Sequence, residues 1–250
     1  MSRLQFFGFF LLINFAFGQY PSNYPRCNFG DSECIMKAVS QVLKLAVDGI
    51  PEMKIPGFEP LYVKTVSILQ DGNSNVAIKL TLNDALIYGI SNASIYKING
   101  FEEDPKKSKY EIHAKLPNLK IVSKYNIDGK ILILPIQGNG NGLLNFKDAD
   151  LKFKFKLEPF AKEDSQLYTK ISKIRLQFNT SKFTINLENL FNGNKALGDN
   201  MNQFVNENWE IIFQELRPAI TEALTKVVSG IVDSVFQTVP YKSLFLEKSN

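Results

Sequence analysis

Few of the 250 residues have the type and spacing that covalent chemistry requires. A nucleophilic triad or a zinc site built on imidazole has only His113 to draw on, and His113 sits between Ile112 and Ala114 in an alternating segment whose parity turns it outward. It reads as a surface strand residue. No G-x-S-x-G occurs, and a single histidine forbids H-E-x-x-H. The stretch "GNGNGLL" (138–144) approximates a dinucleotide fingerprint, but its third glycine falls one place early and it joins strand to strand. A flexible hairpin is the simpler reading. Glu102 and Glu103 lie in a polar loop and read as solvated carboxylates. The expectation is a protein without catalytic residues, metal or cofactor.

Cys27 and Cys34 are the only cysteines, so a bridge between them has one possible connectivity. A loop so short would contribute about 2.5 kcal/mol, enough to pin a terminus but not to build a framework. Asn92 and Asn179 each open an N-x-[ST] sequon and are candidate glycan acceptors. Both features suit an oxidising, extracellular compartment. The first residues agree: "MSRLQFFGFFLLINFAFG" has one early charge, an apolar run from Phe6 to Phe17, and small residues Ala16 and Gly18 before Gln19. Residues 1–18 read as a secretory signal peptide, since the run falls short of the ~20 residues of a spanning helix. The formal charge of +4 falls to +3 without Arg3, with basic and acidic residues interspersed, so no stable membrane insertion and no nucleic-acid partner is expected.

The elements behind these residues follow from periodicity. In "ECIMKAVSQVLKLAVDGIP", Ile35, Val39, Val42, Leu43 and Ala46 recur at helical spacing behind a cap at Asp31 or Ser32, and Gly49 and Pro51 end the helix. "PEMKIPGFEPLYVK" then carries Ile55, Phe58 and Leu61 along an extended path. From Val66 to Leu190 the period is two. The strands expected are "NVAIKLTL", "YEIHAKL", "LKIVSKYNI", "ILILPI", "LKFKFKL", "KIRLQF" and "FTINL", separated by "DGN", "SN", "ING", "DG", "GNGNG" and "NTS". Connections this short imply antiparallel hairpins in one meandering, bent sheet. From Asn200 to Val239 the period is helical and two apolar rows run side by side, the pattern of a helix that a sheet wraps around. Pro218 predicts a kink or a break there. The four apolar residues of "LKFKFKL" face that helix and its three lysines face water.

The early "CNFGDSEC" pair, "GIPEMKIPGFEPLYV", "DGKILILPIQGNGNG", "LGDNMNQFVNENWEIIFQELRPAI" and the terminal "VPYKSLF" occur in an order and at spacings that resemble the insect takeout and juvenile-hormone-binding protein family across the whole mature chain. The resemblance implies one elongated domain over residues 19–250, α+β, of the tubular lipid-binding type: a long C-terminal helix wrapped by a strongly curved antiparallel sheet around an apolar tunnel. It implies a secreted, monomeric carrier of a hydrophobic small molecule, with no cofactor and with Cys27 bonded to Cys34. The second cysteine pair typical of the juvenile-hormone carriers is missing, which places the chain nearer the takeout branch.

A tunnel between helix and sheet would be lined by Leu80, Ile112, Ile121, Leu132, Phe153, Phe155, Phe178 and Phe183 from the strands. From the helix it would take Trp209, Phe213, Leu216, Ile220 and Leu224. Tyr125, with Ser123 beside it, would supply the polar groups that orient a ligand. An alternative stays open, in which side chains fill the interior and the protein engages a membrane or partner through an apolar surface.

Overall fold

The alternation becomes seven antiparallel strands: β1 (Leu61–Gln70), β2 (Val76–Tyr88), β3 (Ser94–Asn99), β4 (Tyr110–Ile131), β5 (Leu134–Ala161), β6 (Leu167–Asn179) and β7 (Lys182–Leu187). Helix α1 (Ser32–Leu45) precedes them, and α2 (Lys195–Glu207) and α3 (Trp209–Thr238) follow. This computed structural model describes residues 20–70 and 75–247. The expected leader (1–18) and the expected turn at "DGN" (71–73) lie outside the described residues.

Five strands run in the order β1-β2-β4-β5-β6, while β3 pairs with β4 and β7 with β5. Two strands are very long, β4 with 22 residues and β5 with 28. Each accepts two successive partners along one edge: β4 pairs β3 from Glu111 and β2 from Lys120, and β5 pairs β7 and then β6. Expected strands therefore merge. "YEIHAKL" and "LKIVSKYNI" are one strand through Pro117, and "ILILPI" is not a strand but the β4–β5 hairpin, with Leu132 at φ 55 and Ile133 90% exposed. The "DG" at Asp128–Gly129 and "GNGNG" lie inside β4 and β5, so neither is a turn.

Close packing explains the three glycines. A Cβ at Gly138 would lie 2.9 Å from both the Leu190 Cα and the Tyr125 hydroxyl, and one at Gly140 would lie 2.6 Å from the Glu188 carbonyl. One at Gly142 would press on Leu187 and on the Tyr125 ring at 3.2 and 3.3 Å. The glycines vacate one strip of the sheet so that the segment after β7 can cross it and Tyr125 can lie flat against it.

Helix α3 packs against β1 and β2 on one side and β6 and β7 on the other. Outer strands of a flat five-strand sheet would stand roughly 19 Å apart, so a helix lying on it would meet only the middle ones. The sheet is curled around α3. Helix α2 closes the remaining gap: the Asn206 amide accepts from Ile185 N and donates to Ile185 O, both at 2.8 Å, and Asn202 does the same at Leu187 at 2.9 Å. Two side chains one turn apart thus satisfy the free edge of β7 as a further strand would. The helical break falls at Asn208, between α2 and α3, and α3 is continuous through Pro218. The carbonyl that Pro218 leaves without a donor belongs to Gln214, and both residues are exposed, so water can take the place of the missing bond.

On the outer face His113 is buried, only 9% exposed, contrary to its expected place in solvent. Outward parity did not leave it open, because neighbouring side chains roof it. Its ring meets Tyr96 edge-on at 5.3 Å, and its Nε2 lies 2.7 Å from Glu111 Oε1. Glu111 also accepts from Lys97, Lys154 and Asn99, and this set, led by Lys97, holds its carboxyl down at about 2 against an ordinary 4.5.

Three outcomes follow. Gly140→Ala forces a methyl group onto backbone and is expected to cost about 1–3 kcal/mol in urea denaturation. Gly230→Ala, in α3 with nothing within 4 Å, should raise stability. Because the folded Glu111 carboxyl titrates below the unfolded one, its stabilisation is complete above pH ~4.5 and lost as pH falls toward 2. Glu111→Gln should therefore melt below wild type at pH 7, with the gap closing on acidification.

Candidate functional site

Packing along α3 divides in two. In its first half Ile212, Phe213, Leu216, Ala219, Ile220 and Ala223 are all buried. In its second half Leu224, Val227, Val228, Ile231, Val232 and Val235 touch three separate apolar clusters yet remain only half-buried. Such side chains carry the transfer energy of burial only if something else covers them. Beside this half lies an apolar cavity of about 210 Å³.

Five segments build its walls. Helix α1 contributes Ile35, Ala38, Val39, Val42 and Leu43. Its start is capped by Asp31, whose carboxylate accepts from Cys34 N at 3.0 Å, and is tied by the Cys27–Cys34 disulfide. The N-terminal segment adds Tyr20, Pro25 and Cys27, and the stretch from α1 to β1 adds Met53 and Phe58. Gly49 turns that stretch at φ +91, where a Cβ would meet the Ile55 carbonyl at 2.5 Å. Val235 and Phe236 of α3, with Leu244 and Phe245 beyond it, close the far side, and Phe101 enters from the β3–β4 loop.

The floor beneath is aromatic and rigid. Phe155 stacks on Tyr110 at 4.8 Å and reaches Phe101 and Phe236 at 6.5 and 6.1 Å. The Tyr110 hydroxyl donates to Tyr241 Oη at 3.0 Å, and Tyr241 donates to Glu102 O at 2.8 Å. Burial, with Tyr110 alongside, pushes the Tyr241 hydroxyl well above the usual tyrosine range. The C-terminal segment is held further by Leu246 N donating to Cys27 O at 3.0 Å.

No lining residue carries a charge. The one phenol, Tyr20, is committed, donating to Pro25 O at 2.8 Å, and burial raises its pKa. Such a surface can adsorb an apolar molecule, but it offers no base, nucleophile or cation to transform one. Among the described residues, no group of three or more His, Cys, Asp or Glu is placed to hold a metal, and no helix is long and apolar enough to cross a membrane.

None of the residues expected to line a tunnel lines this cavity. Leu80, Ile121, Phe178, Phe183, Phe213, Leu216 and Ile220 are brought together in the largest core cluster, where Phe178 and Phe183 meet Phe213 at 5.9 and 6.3 Å. Trp209 and Leu132 sit half-buried at its margin, and the Lys182 ammonium lies over the Trp209 ring at 5.1 Å. Phe153 and Phe155 form the aromatic floor, with Ile112 and Leu224 beside them. Tyr125 is buried, and its hydroxyl donates to Glu188 O at 2.6 Å; burial, aided by the Glu188 carboxylate, pushes it up to about 12. The Ser123 hydroxyl is buried without a hydrogen-bond partner. What sequence reasoning missed was α1 as a wall. The signal was present in the unassigned apolar stripe from Ile35 to Leu43 and in Phe58, all of which needed a partner.

Residues 6–246 match the family model described as haemolymph juvenile hormone binding protein. The chain is 31% identical over 229 residues to the circadian clock-controlled protein daywake of Drosophila melanogaster, covering 90% of this chain and 88% of that one. The Drosophila yakuba daywake is 28% identical over the same shares. Among solved structures, Takeout 1 of Epiphyas postvittana superposes with a TM-score of 0.73 at 27% identity, covering 86% of this chain and 96% of that one.

A cavity and a filled core respond oppositely to added volume. Ala38→Phe should occupy the space and raise stability by about 0.5–2 kcal/mol while blocking apolar probe uptake. Were the region already packed, the same change would cost about 1–3 kcal/mol. Thermal melts and fluorescent-probe titration read both.

Proposed function

The chain belongs to the haemolymph juvenile hormone binding protein family, on its takeout branch, and on that premise we propose that it is a secreted carrier whose α1-covered cavity holds a long, uncharged, apolar molecule. The observation that carries this reading is the uncharged apolar cavity between α1 and the end of α3, which Val235 and Phe236 line from α3 beside a stretch of that helix whose apolar side chains stay only half-buried. In this reading residues 1–18 are removed as a leader and residues 19–250 act as one monomeric domain, with no cofactor and no catalytic step. Asn92 is exposed in the turn between β2 and β3, and Asn179 is exposed at the end of β6 with its Oδ1 accepting from Arg217 at 3.2 Å; both are proposed glycan acceptors.

The large apolar side chains that remain exposed, such as Tyr62, Ile133, Leu197 and Ile211, stand on separate elements. That distribution gives the alternative, an apolar docking surface, nothing contiguous to use.

Native mass spectrometry and organic extraction of the protein from its own source should reveal a stoichiometric apolar molecule. A protein that is empty, and stays empty after incubation with juvenoids and long-chain lipids, overturns the reading. Because the walls hold no cation, a long-chain methyl ester should bind roughly tenfold or more tightly than its free acid at pH 7. The difference should narrow below about pH 5 as the acid becomes neutral.

A further inference from the structure

Basic residues that are scattered in the sequence are gathered by the β5–β6 pairing. On the outer face of β5 stand Lys152, Lys154 and Lys156, followed by Glu158, and on that of β6 stand Arg175, Lys173 and Lys170, the last of these opposite Glu158. Directly opposite one another across the strands are Lys154 and Arg175, and Lys156 and Lys173. Like charges in that position destabilise a sheet. Lys154 shares Glu111 at 3.1 Å and Lys152 approaches Asp150 at 3.8 Å, but among the described residues Lys156, Lys170, Lys173 and Arg175 have no carboxylate within ion-pair distance. All four are exposed. Protection of a sheet edge accounts for lysines on β6, the outermost strand, but it calls for no second row on β5.

Lys152, Lys154 and Lys156 on β5 and Arg175 and Lys173 on β6 form two parallel rows roughly 5 Å apart, with successive charges in a row roughly 7 Å apart, and Lys170 lies past the register shift that follows Lys156. One long side is bounded by the Glu111 carboxylate on β4 and the other by the free edge of β6. Because the sheet curls around α3, this outer face is convex, so a planar membrane would meet it only along a line, whereas a flexible chain can follow it. Five of the six cations are lysines, point charges suited to diffuse anionic groups more than to bidentate forks. The strip itself presents no aromatic side chain between its cations on which nucleobases would stack.

We propose that the outer face of β5 and β6 binds a linear sulfated polysaccharide, which would hold the carrier at an extracellular matrix or cell surface. The proposal rests on the extracellular reading above, but not on occupancy of the cavity. The folded full chain is applied to immobilised heparin at about 0.15 M ionic strength. Binding is expected to weaken steeply with added salt and to fall roughly tenfold or more in the triple variant Lys156→Gln, Lys173→Gln, Arg175→Gln. That variant should melt at or above the wild-type temperature, since it relieves two like-charge pairs. The matched triple Lys64→Gln, Lys124→Gln, Lys130→Gln removes the same charge from exposed positions on β1 and β4 and should retain binding. Equal loss in both triples, no retention beyond uncharged dextran, or equal capture by single-stranded DNA or anionic lipid vesicles overturns the proposal. Uptake of an apolar probe is measured in parallel, so failure of the carrier reading and failure of this one are separately visible.

Discussion

The structure depends on one constraint: α3 is apolar around much of its circumference and must be enclosed. A helix with a single apolar stripe is satisfied by a flat sheet, but two adjacent apolar rows require walls on both sides. The sheet supplies them by curling until β1 and β6 both reach the helix. Curling is possible because β4 and β5 are long enough to carry two partners each, so the outer strands shift along the tube axis. Where the curl leaves β7 without a strand beside it, the amides of Asn202 and Asn206 complete its hydrogen bonds.

Enclosure succeeds differently at the two ends of α3. Near its start the aromatic rings of Phe146, Phe178, Phe183 and Phe213 interlock at centroid separations of 4.9 to 6.3 Å and bury the inward side chains of α3. Near its end the opposing wall is α1, and α1 is not free to settle inward. The disulfide and the Asp31 cap fix its start, the backbone contact at Gly49 fixes its exit, and the Tyr110–Tyr241–Glu102 chain of hydrogen bonds fixes the C-terminal segment opposite. An apolar cavity costs stability relative to a collapsed core. The frame around it is what keeps the chain from recovering that stability by collapse.

Periodicity in the sequence carried the elements well and their limits poorly. The inward series Val76, Ile78, Leu80, Leu82 and the series from Leu119 to Ile127 are buried as alternation requires, and α1 starts at Ser32 behind Asp31, one of the two cap residues the sequence offers. The failures share a cause. Gly138, Gly140 and Gly142 look like a turn because glycine usually supplies unusual dihedrals, yet here it supplies room, and room is set by the Leu190 backbone some fifty residues away. Pro218 looks like a break, but an exposed carbonyl can forgo its bond. His113 points outward by parity and is still roofed by Tyr96 and Glu111. Each depends on a neighbour distant in sequence, which a local pattern cannot register. The same limit separates the expected lining from the α1-covered cavity: parity identified which residues face α3, but not where along α3 the packing loosens.

The interior and exterior of the tube differ in chemistry. Inside, the cavity walls carry no charge and their one phenol, Tyr20, is committed to Pro25 O, so an ionised group there would have no partner. Outside, β5 and β6 concentrate cations that the interior has no use for and that the sheet itself would be more stable without. A strand pair alternates faces, so Phe153 and Phe155 must be flanked by residues turned to solvent, but nothing in that geometry requires those residues to be lysine. Choosing Lys152, Lys154 and Lys156, and then placing Lys173 and Arg175 opposite them, is a separate feature of the sequence, and it is the exterior counterpart of the uncharged cavity.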